Sequence, residues 1–133
     1  MTANPKTILI ADDDFDDLEM LDEALLKVDA FLNVLKASSG RQAINLLNDP
    51  PQEIIPDLIV LDYNMPDFNG GEVLDVISGD TRYLNIPKII WSTSDSNVYE
   101  QICKDKGATH YFKKPHSIEQ IDVLARDILS LCI

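Results

Sequence analysis

The sequence is poor in cysteine and has no long apolar run. Its 133 residues include only two cysteines, Cys103 and Cys132. Each lies in a stretch with a helical pattern, which favours free, buried thiols over a disulfide framework. No stretch approaches the roughly 20 apolar residues of a membrane-spanning helix, and the amino terminus lacks the apolar core of a secretion signal. These features predict a cytoplasmic protein that inserts into no membrane.

Positive charge is also scarce. Lys and Arg number 11 against 23 Asp and Glu, so the net charge is −12. Such a charge repels nucleic-acid backbones and anionic lipid, and direct binding to nucleic acid is therefore not expected. Apolar residues make up 45% and charged residues 26%, as in ordinary globular proteins. The length suits one domain over residues 1–133, with no additional output domain.

Short apolar runs predict buried strands, and four of them stop at a polar residue. These are Ile8–Ala11 before Asp12, Leu58–Leu61 before Asp62, Ile89–Trp91 before Ser92, and Tyr111–Phe112 before Lys113 and Lys114. A further strand is expected near Leu32–Ala37. Apolar residues at helical spacing lie between and after the strands, from Leu18 to Val28, Ala43 to Leu47, Val73 to Ile77, about Asn97 to Lys106, and Ile118 to Ile128. Five strands alternating with five helices predict a doubly wound α/β domain with a five-stranded parallel sheet.

The residues at the strand ends are the candidate site. In doubly wound sheets, ligands bind outside the carboxyl ends of the strands. Asp12, Asp13, Asp62, Ser92 and Lys114 should therefore meet at one edge of the sheet. Two unit charges about 4 Å apart repel by roughly 4 kcal/mol at an effective dielectric constant near 20, so three carboxylates in one place require a cation.

The chemistry of these side chains favours Mg²⁺ and a phosphoryl group. Mg²⁺ prefers hard oxygen ligands and commonly takes one or two carboxylates together with substrate oxygens. Lys114 provides a positive charge for a phosphoryl group, and Ser92 provides a hydroxyl donor. Asp62 can then act as a nucleophile that forms an aspartyl phosphate.

The motifs at these positions resemble those of response-regulator receiver domains, proteins of bacterial two-component signalling. The resemblance covers essentially the whole chain. It lies in Ile8-Leu9-Ile10-Ala11-Asp12-Asp13, in Leu61-Asp62-Tyr63-Asn64-Met65-Pro66 with Gly70, in Trp91-Ser92, and in Lys114-Pro115. His116 differs from the apolar aromatic residue that is frequent in the family after Lys-Pro, and serine replaces the more usual threonine at position 92.

The resemblance implies a flavodoxin-like strand order of 2-1-3-4-5 and a role for each site residue. Asp62 would receive the phosphoryl group, and Lys114 and Ser92 would contact its oxygens. Asp12, Asp13, Asp62 and the backbone carbonyl of Asn64 would bind Mg²⁺. Ser92 and Tyr111 would form the conformational switch.

The resemblance also implies partners. A sensor histidine kinase or phosphotransfer protein would supply the phosphoryl group. An unknown downstream protein would bind the surface formed by the fourth helix, the fifth strand and the fifth helix. The domain would be a switch that catalyses its own phosphorylation and dephosphorylation, rather than an enzyme acting on metabolites.

Other interpretations compete for the same aspartate run. Asp12 and Asp14 after a strand resemble the nucleophile motif of haloacid-dehalogenase-like phosphatases, but Phe15 stands close to where those enzymes have threonine or valine. Asp12, Asp14, Asp16 and Glu23 match ligand positions of a calcium EF-hand loop, but Asp17 replaces its glycine. A flavodoxin-like cofactor domain would need a Gly-, Ser- or Thr-rich phosphate loop after the first strand. On sequence alone, Asp14, Asp16 and Asp17 are expected to begin the first helix, where its dipole stabilises acidic side chains.

Overall fold

The computed structural model describes residues 5–94 and 96–132. Its five strands are β1 (Thr7–Ala11), β2 (Asn33–Ala37), β3 (Leu58–Asp62), β4 (Lys88–Ser92) and β5 (His110–Lys113). They form one sheet in the order β2-β1-β3-β4-β5, and every pair is parallel. The predicted fold class and strand order are confirmed.

The helices alternate with the strands. They are α1 (Phe15–Val28), α2 (Gly40–Asn48), α3 (Gly70–Ile77), α4 (Asn97–Asp105) and α5 (Ile118–Leu129), with single 3₁₀ turns at Pro51–Glu53 and Thr81–Tyr83. The predicted helix starts are supported by side-chain caps: Asp14 accepts hydrogen bonds from the Asp16 and Asp17 amides, and Ser117 accepts one from the Gln120 amide. After α4, Gly107 adopts a φ of 108°, a conformation suited to glycine.

The core lies in two layers, one on each face of the sheet. Successive residues of a strand point to opposite faces, so the apolar runs of β1 and β3 supply both layers. Ile8, Ile10 and Val60 pack beneath α1 and α5, whereas Leu9, Ile59 and Leu61 pack beneath α2, α3 and α4. All five residues of each of these two strands are buried. The sheet is therefore a rigid platform for the residues that follow its strands.

Gly70 allows the loop after β3 to fold back onto the strand. A side chain at this position would place its Cβ 2.8 Å from Ile90 Cδ1 and 2.9 Å from the Asp62 carbonyl oxygen. The Gly70 amide donates to the carbonyl of Tyr63 at 3.1 Å. This close approach fixes the segment directly after Asp62. Among the described residues, no helix is both long enough and apolar enough to cross a membrane.

Candidate functional site

Four polar residues at the carboxyl ends of β1, β3, β4 and β5 are almost inaccessible to solvent. Asp62 and Ser92 are the last residues of β3 and β4, and Asp12 and Lys114 directly follow β1 and β5. Their exposed fractions are 0% for Asp12 and Ser92, 2% for Asp62 and 8% for Lys114. Burying a polar or charged group costs free energy unless the group is paired. The contacts that these four residues make with one another and with their neighbours therefore determine the chemistry of this edge of the sheet.

Three carboxylates gather at one point of the edge. Ligand oxygens of Asp12, Asp13 and Asp62 all lie within 4.8 Å of one another. Asp12 and Asp62 are buried, whereas Asp13 is exposed. An open depression borders Asp13 and is lined also by Asn64 and Met65. Two buried oxygen ligands, one exposed ligand and adjacent open space fit the preference of Mg²⁺ for few carboxylates, with positions left for water and phosphate oxygens.

The crowding of charge changes the acidity of the two buried carboxylates. Burial and the neighbouring charge of Asp12 raise the pKa of Asp62 to about 7, and Lys114 offsets this only in part. Burial also raises the pKa of Asp12, against the opposing effect of Lys114. Without a further cation, this pair resists carrying two full negative charges.

Lys114 lies at the centre of the acidic group. Its Nζ atom is 2.8 Å from Asp12 Oδ2, 2.9 Å from Asp17 Oδ2 and 3.5 Å from Asp62 Oδ2. It also lies 5.0 Å from the centre of the Trp91 ring. Burial alone would lower the pKa of Lys114, but the three carboxylates raise it above its ordinary value, so the ammonium stays charged.

Ser92 faces the site, and its neighbour Thr93 does not. The Ser92 side chain is buried beside Asn64, whose Nδ2 lies 3.4 Å from Ser92 Oγ, while Thr93 is exposed. The Ser94 amide donates to Ser92 Oγ at 3.1 Å. Both of these hydrogen bonds use the Ser92 oxygen as an acceptor, so its hydroxyl proton remains able to contact an incoming oxygen.

Tyr111 contacts the loop after β4, which begins beside the acidic group. Its phenol donates a 2.8 Å hydrogen bond to the carbonyl of Ser94, the residue whose amide contacts Ser92. The backbone N–H of Asn64 donates a 3.2 Å hydrogen bond to Asp62 Oδ1, which holds Asn64 beside Asp62. The structure thus brings together Asp12, Asp13, Asp62, Asn64, Ser92 and Lys114, and it connects Tyr111 to them through the loop after β4.

One contact of the site differs from the sequence-based expectation. Asp17 was expected only to begin α1, yet its carboxylate contacts Lys114. A sequence signal exists: Asp17 precedes Leu21 by four positions and Ala24 by seven, and both of these are buried. Residues at those spacings share a helix face, so Asp17 continues the inward-facing stripe toward the strand ends.

The structure also bears on the competing interpretations of the aspartate run. Residues from Phe15 onward form α1, and Asp14 is its N-cap. An EF-hand loop requires an extended ligand-bearing segment where this chain has a helix. The Asp14 carboxylate faces the Asp16 and Asp17 amides at 3.0 and 3.1 Å, so its described contacts belong to the helix start. Neither the calcium loop nor the Asp12 and Asp14 nucleophile motif agrees with this arrangement.

The structure is thus a doubly wound α/β domain with an acidic group and a lysine at the carboxyl edge of its parallel sheet. The family model of the response regulator receiver domain matches residues 8–126. The chain therefore belongs to the response regulator receiver family. Members of this family are phosphoacceptor switches of two-component signalling and act with histidine kinases or phosphotransfer proteins.

Individual relatives agree with this assignment. The chain is 28% identical over 129 residues to histidine kinase P4 of Formosa agariphila, covering 97% of this chain and 9% of that protein. It is 27% identical to the two-component response regulator ARR8 of Arabidopsis thaliana, covering 88% of this chain and 58% of that protein. The chain thus spans less than two thirds of the length of these relatives. The crystal structure of the phosphorylated cyanobacterial phytochrome response regulator RcpA matches with a TM-score of 0.84 and 28% identity, covering 93% of this chain and 91% of that one.

The raised pKa of Asp62 predicts a pH-dependent stability in metal-free protein. The pKa of Asp62 is about 7 in the folded state, against an ordinary value of 3.8. Between these values the folded state binds the extra proton, so the free energy of unfolding should fall as pH rises from about 4 to about 7. Asp62→Asn should remove the part of this dependence that arises from Asp62 and be more stable than the wild type by about 1–3 kcal/mol at pH 8, while Asp12, whose pKa is also raised, still contributes.

Urea unfolding at pH 5 and pH 8 in the presence of a chelator measures this effect. The stability difference between Asp62→Asn and the wild type should shrink at pH 5. Asp127→Asn, at an exposed position of α5, should change stability by less than about 0.5 kcal/mol at either pH. A lower stability of Asp62→Asn at pH 8 would contradict the argument.

Proposed function

We propose that this domain accepts a phosphoryl group from a phosphohistidine onto Asp62, with Mg²⁺ bound beside it, and thereby switches its contacts with another protein. The observation that carries the proposal is the burial of Asp62 at the end of β3, with the Asp12 and Asp13 oxygens within 4.8 Å and the Lys114 ammonium 3.5 Å away. The proposed nucleophile therefore lies beside two further possible metal ligands and one positive charge.

Phosphoryl transfer to Asp62 would form one bond and break one. An Asp62 carboxylate oxygen attacks phosphorus, the phosphorus–nitrogen bond of the phosphohistidine breaks, and its electron pair stays on the imidazole. Catalysis of such a step consists mainly of positioning and of stabilising charge on the transferring oxygens. Lys114 and the Ser92 hydroxyl are placed to supply that stabilisation.

The residues present fit Mg²⁺ as the resident ion. Asp12, Asp13, Asp62 and the backbone carbonyl of Asn64 would hold it, and it would neutralise charge on the phosphoryl oxygens. Asp13, exposed at the rim, is available to the ion, while Asp12 and Asp62 are held within the edge. The same set of ligands would support hydrolysis of the aspartyl phosphate, so we propose that the domain catalyses both its phosphorylation and its dephosphorylation.

The switch would pass from Ser92 to the surface. The Ser92 hydroxyl gains a phosphoryl partner only after phosphorylation, and Ser94 connects it to Tyr111 through one amide and one carbonyl contact. Val98 and Ile102 lie exposed on the adjoining helix α4. We assign the α4, β5 and α5 surface to an unknown downstream protein, since a response there depends on the loop after β4.

The net charge and the two thiols of the chain bear on its location in the cell and on the class of its partners. The net charge of −12 opposes binding to nucleic acid and to anionic membranes. Cys103 and Cys132 are free and buried, as expected in a reducing cytoplasm. We therefore propose a cytoplasmic domain whose partners are proteins.

Labelling tests the site directly. Mg²⁺ with acetyl phosphate should add one phosphoryl group by intact mass, and Asp62→Asn should remain unlabelled because the acceptor oxygen is lost. Chelation of Mg²⁺ should abolish labelling of the wild type. Undiminished labelling of Asp62→Asn would refute the assignment. Steady hydrolysis of phosphate esters by that variant would instead favour a phosphatase.

The metal ligands can be tested with adjacent aspartates. Asp13→Asn should weaken Mg²⁺ binding by at least about tenfold, because a direct charge-assisted contact is lost. Asp14→Asn should weaken it by less than about threefold, since asparagine still caps α1 and an exposed charge is screened. Calorimetric titration measures both. Equal losses would mean that the ligand is assigned to the wrong aspartate.

Ser92 and Thr93 are adjacent hydroxyl residues with opposite expected effects. Ser92→Ala should still accept phosphate at Asp62 but lose most of the conformational response, because a hydrogen bond made only in the phosphorylated state is removed. The loss of bias should be about 1–3 kcal/mol for a bond to a charged group. Thr93→Ala should retain the response.

Amide chemical-shift changes on phosphorylation measure this response in both variants. The expected pattern is small changes near Tyr111 in Ser92→Ala and changes like those of the wild type in Thr93→Ala. The reverse pattern would show that Thr93 is the switch residue.

A further inference from the structure

Lys114 has a partner on α1 that the phosphoryl chemistry does not require. Its Nζ atom lies 2.9 Å from Asp17 Oδ2, which is nearly as close as Asp12 Oδ2 at 2.8 Å and closer than Asp62 Oδ2 at 3.5 Å. A lysine ammonium has three donors. Asp17 accepts a hydrogen bond from the ammonium, Asp12 lies at ion-pair distance from it, and the phosphoacceptor has the longest of the three contacts.

Asp17 is held in place by the start of its helix. Its amide donates to the N-cap carboxylate of Asp14 at 3.1 Å, and the next residue, Leu18, is buried in the core. The Asp17 side chain is 27% exposed, whereas the Lys114 side chain is 9% exposed. Asp17 is therefore the most exposed of the three carboxylates beside the ammonium, since the Asp12 and Asp62 side chains are 0% and 3% exposed.

The contact opposes the arrangement that a phosphorylated Asp62 needs. A phosphoryl group brings about 1.5 to 2 negative charges and three acceptor oxygens, which compete for the Lys114 ammonium. The ammonium has to move toward these oxygens to contact them at ordinary hydrogen-bond distance. Any such movement weakens its contact with Asp17, whose backbone is fixed by α1.

We propose that Asp17 is a positioning residue that holds Lys114 back from Asp62 before phosphorylation, so that phosphoryl transfer must draw the lysine away from α1. The proposal rests on the proposed function, since it concerns the rate of the same reaction. Asp17 then slows acquisition of the phosphoryl group, and its partial exposure limits the size of the effect. Asp17 thus influences the rate of phosphoryl transfer through Lys114, without contacting the reacting atoms itself.

The initial rate of Asp62 labelling by acetyl phosphate and Mg²⁺ tests the proposal in the full chain. Asp17→Asn should be labelled about three- to fivefold faster than the wild type, the size expected for a partly exposed ion pair. Asp16→Asn is the matched control, because it removes one exposed charge from the same helical turn. The change in labelling rate caused by Asp16→Asn should be less than half of the change caused by Asp17→Asn. Asp17→Glu, which keeps the charge, should restore a rate near that of the wild type.

A second pair of variants separates positioning from general charge. In a Lys114→Met background, Asp17→Asn should leave the residual labelling rate unchanged, because no ammonium remains to be held. An acceleration that persists without Lys114, or an equal acceleration by Asp16→Asn, would overturn the proposal. So would an Asp17→Asn rate equal to that of the wild type when the wild type is labelled at Asp62. Absence of labelling in the wild type would overturn the proposed function itself.

Discussion

The balance of charge between Lys114 and the buried carboxylates is the constraint on which the site depends. One ammonium faces Asp12, Asp17 and Asp62, and Asp13 adds a further charge at the rim. A single lysine cannot neutralise this group, which is why burial raises the pKa of Asp62 instead of leaving a stable carboxylate. Additional positive charge would relieve this repulsion, and the oxygens of Asp12, Asp13 and Asp62 lie close enough together to hold a metal ion.

The parallel sheet makes this concentration of charge possible. The pairing of Ala11 with Leu61, Asp62 with Trp91 and Ser92 with Lys113 places the strand ends side by side although they are distant in sequence. Two apolar layers hold the strands rigidly, so repulsion between the carboxylates cannot relax by moving the backbone apart. The repulsion is instead offset by a raised carboxylate pKa and by the contacts of Lys114 with Asp12 and Asp62. A flexible loop carrying the same aspartates would simply let them separate into water.

Much of this arrangement could be predicted from sequence, for identifiable reasons. Apolar runs that stop at Asp12 and Asp62 identify both the strands and their acidic ends, because topology alone brings such ends together. The contact between Asp17 and Lys114 could not be predicted in this way. A lysine side chain is long enough to reach several carboxylates. Which of them its ammonium contacts depends on where the helix lies relative to the sheet edge. An acidic residue at position 17 is favoured by the helix dipole whether or not it contacts Lys114, so its residue type does not distinguish the two roles.

The connection from the site to the surface depends on one residue of the loop after β4. The Ser94 amide contacts Ser92 Oγ, and its carbonyl accepts from the Tyr111 phenol. In the proposed switch, movement of the Ser92 side chain toward a phosphoryl oxygen would act on Ser94, the residue whose carbonyl accepts the Tyr111 hydrogen bond. Sequence patterns identify Ser92 and Tyr111 separately, but the bond between them passes through backbone atoms, which any residue supplies. Only the folded loop reveals this link between Ser92 and Tyr111, which the proposed switch would use to pass a change of one hydroxyl contact to β5.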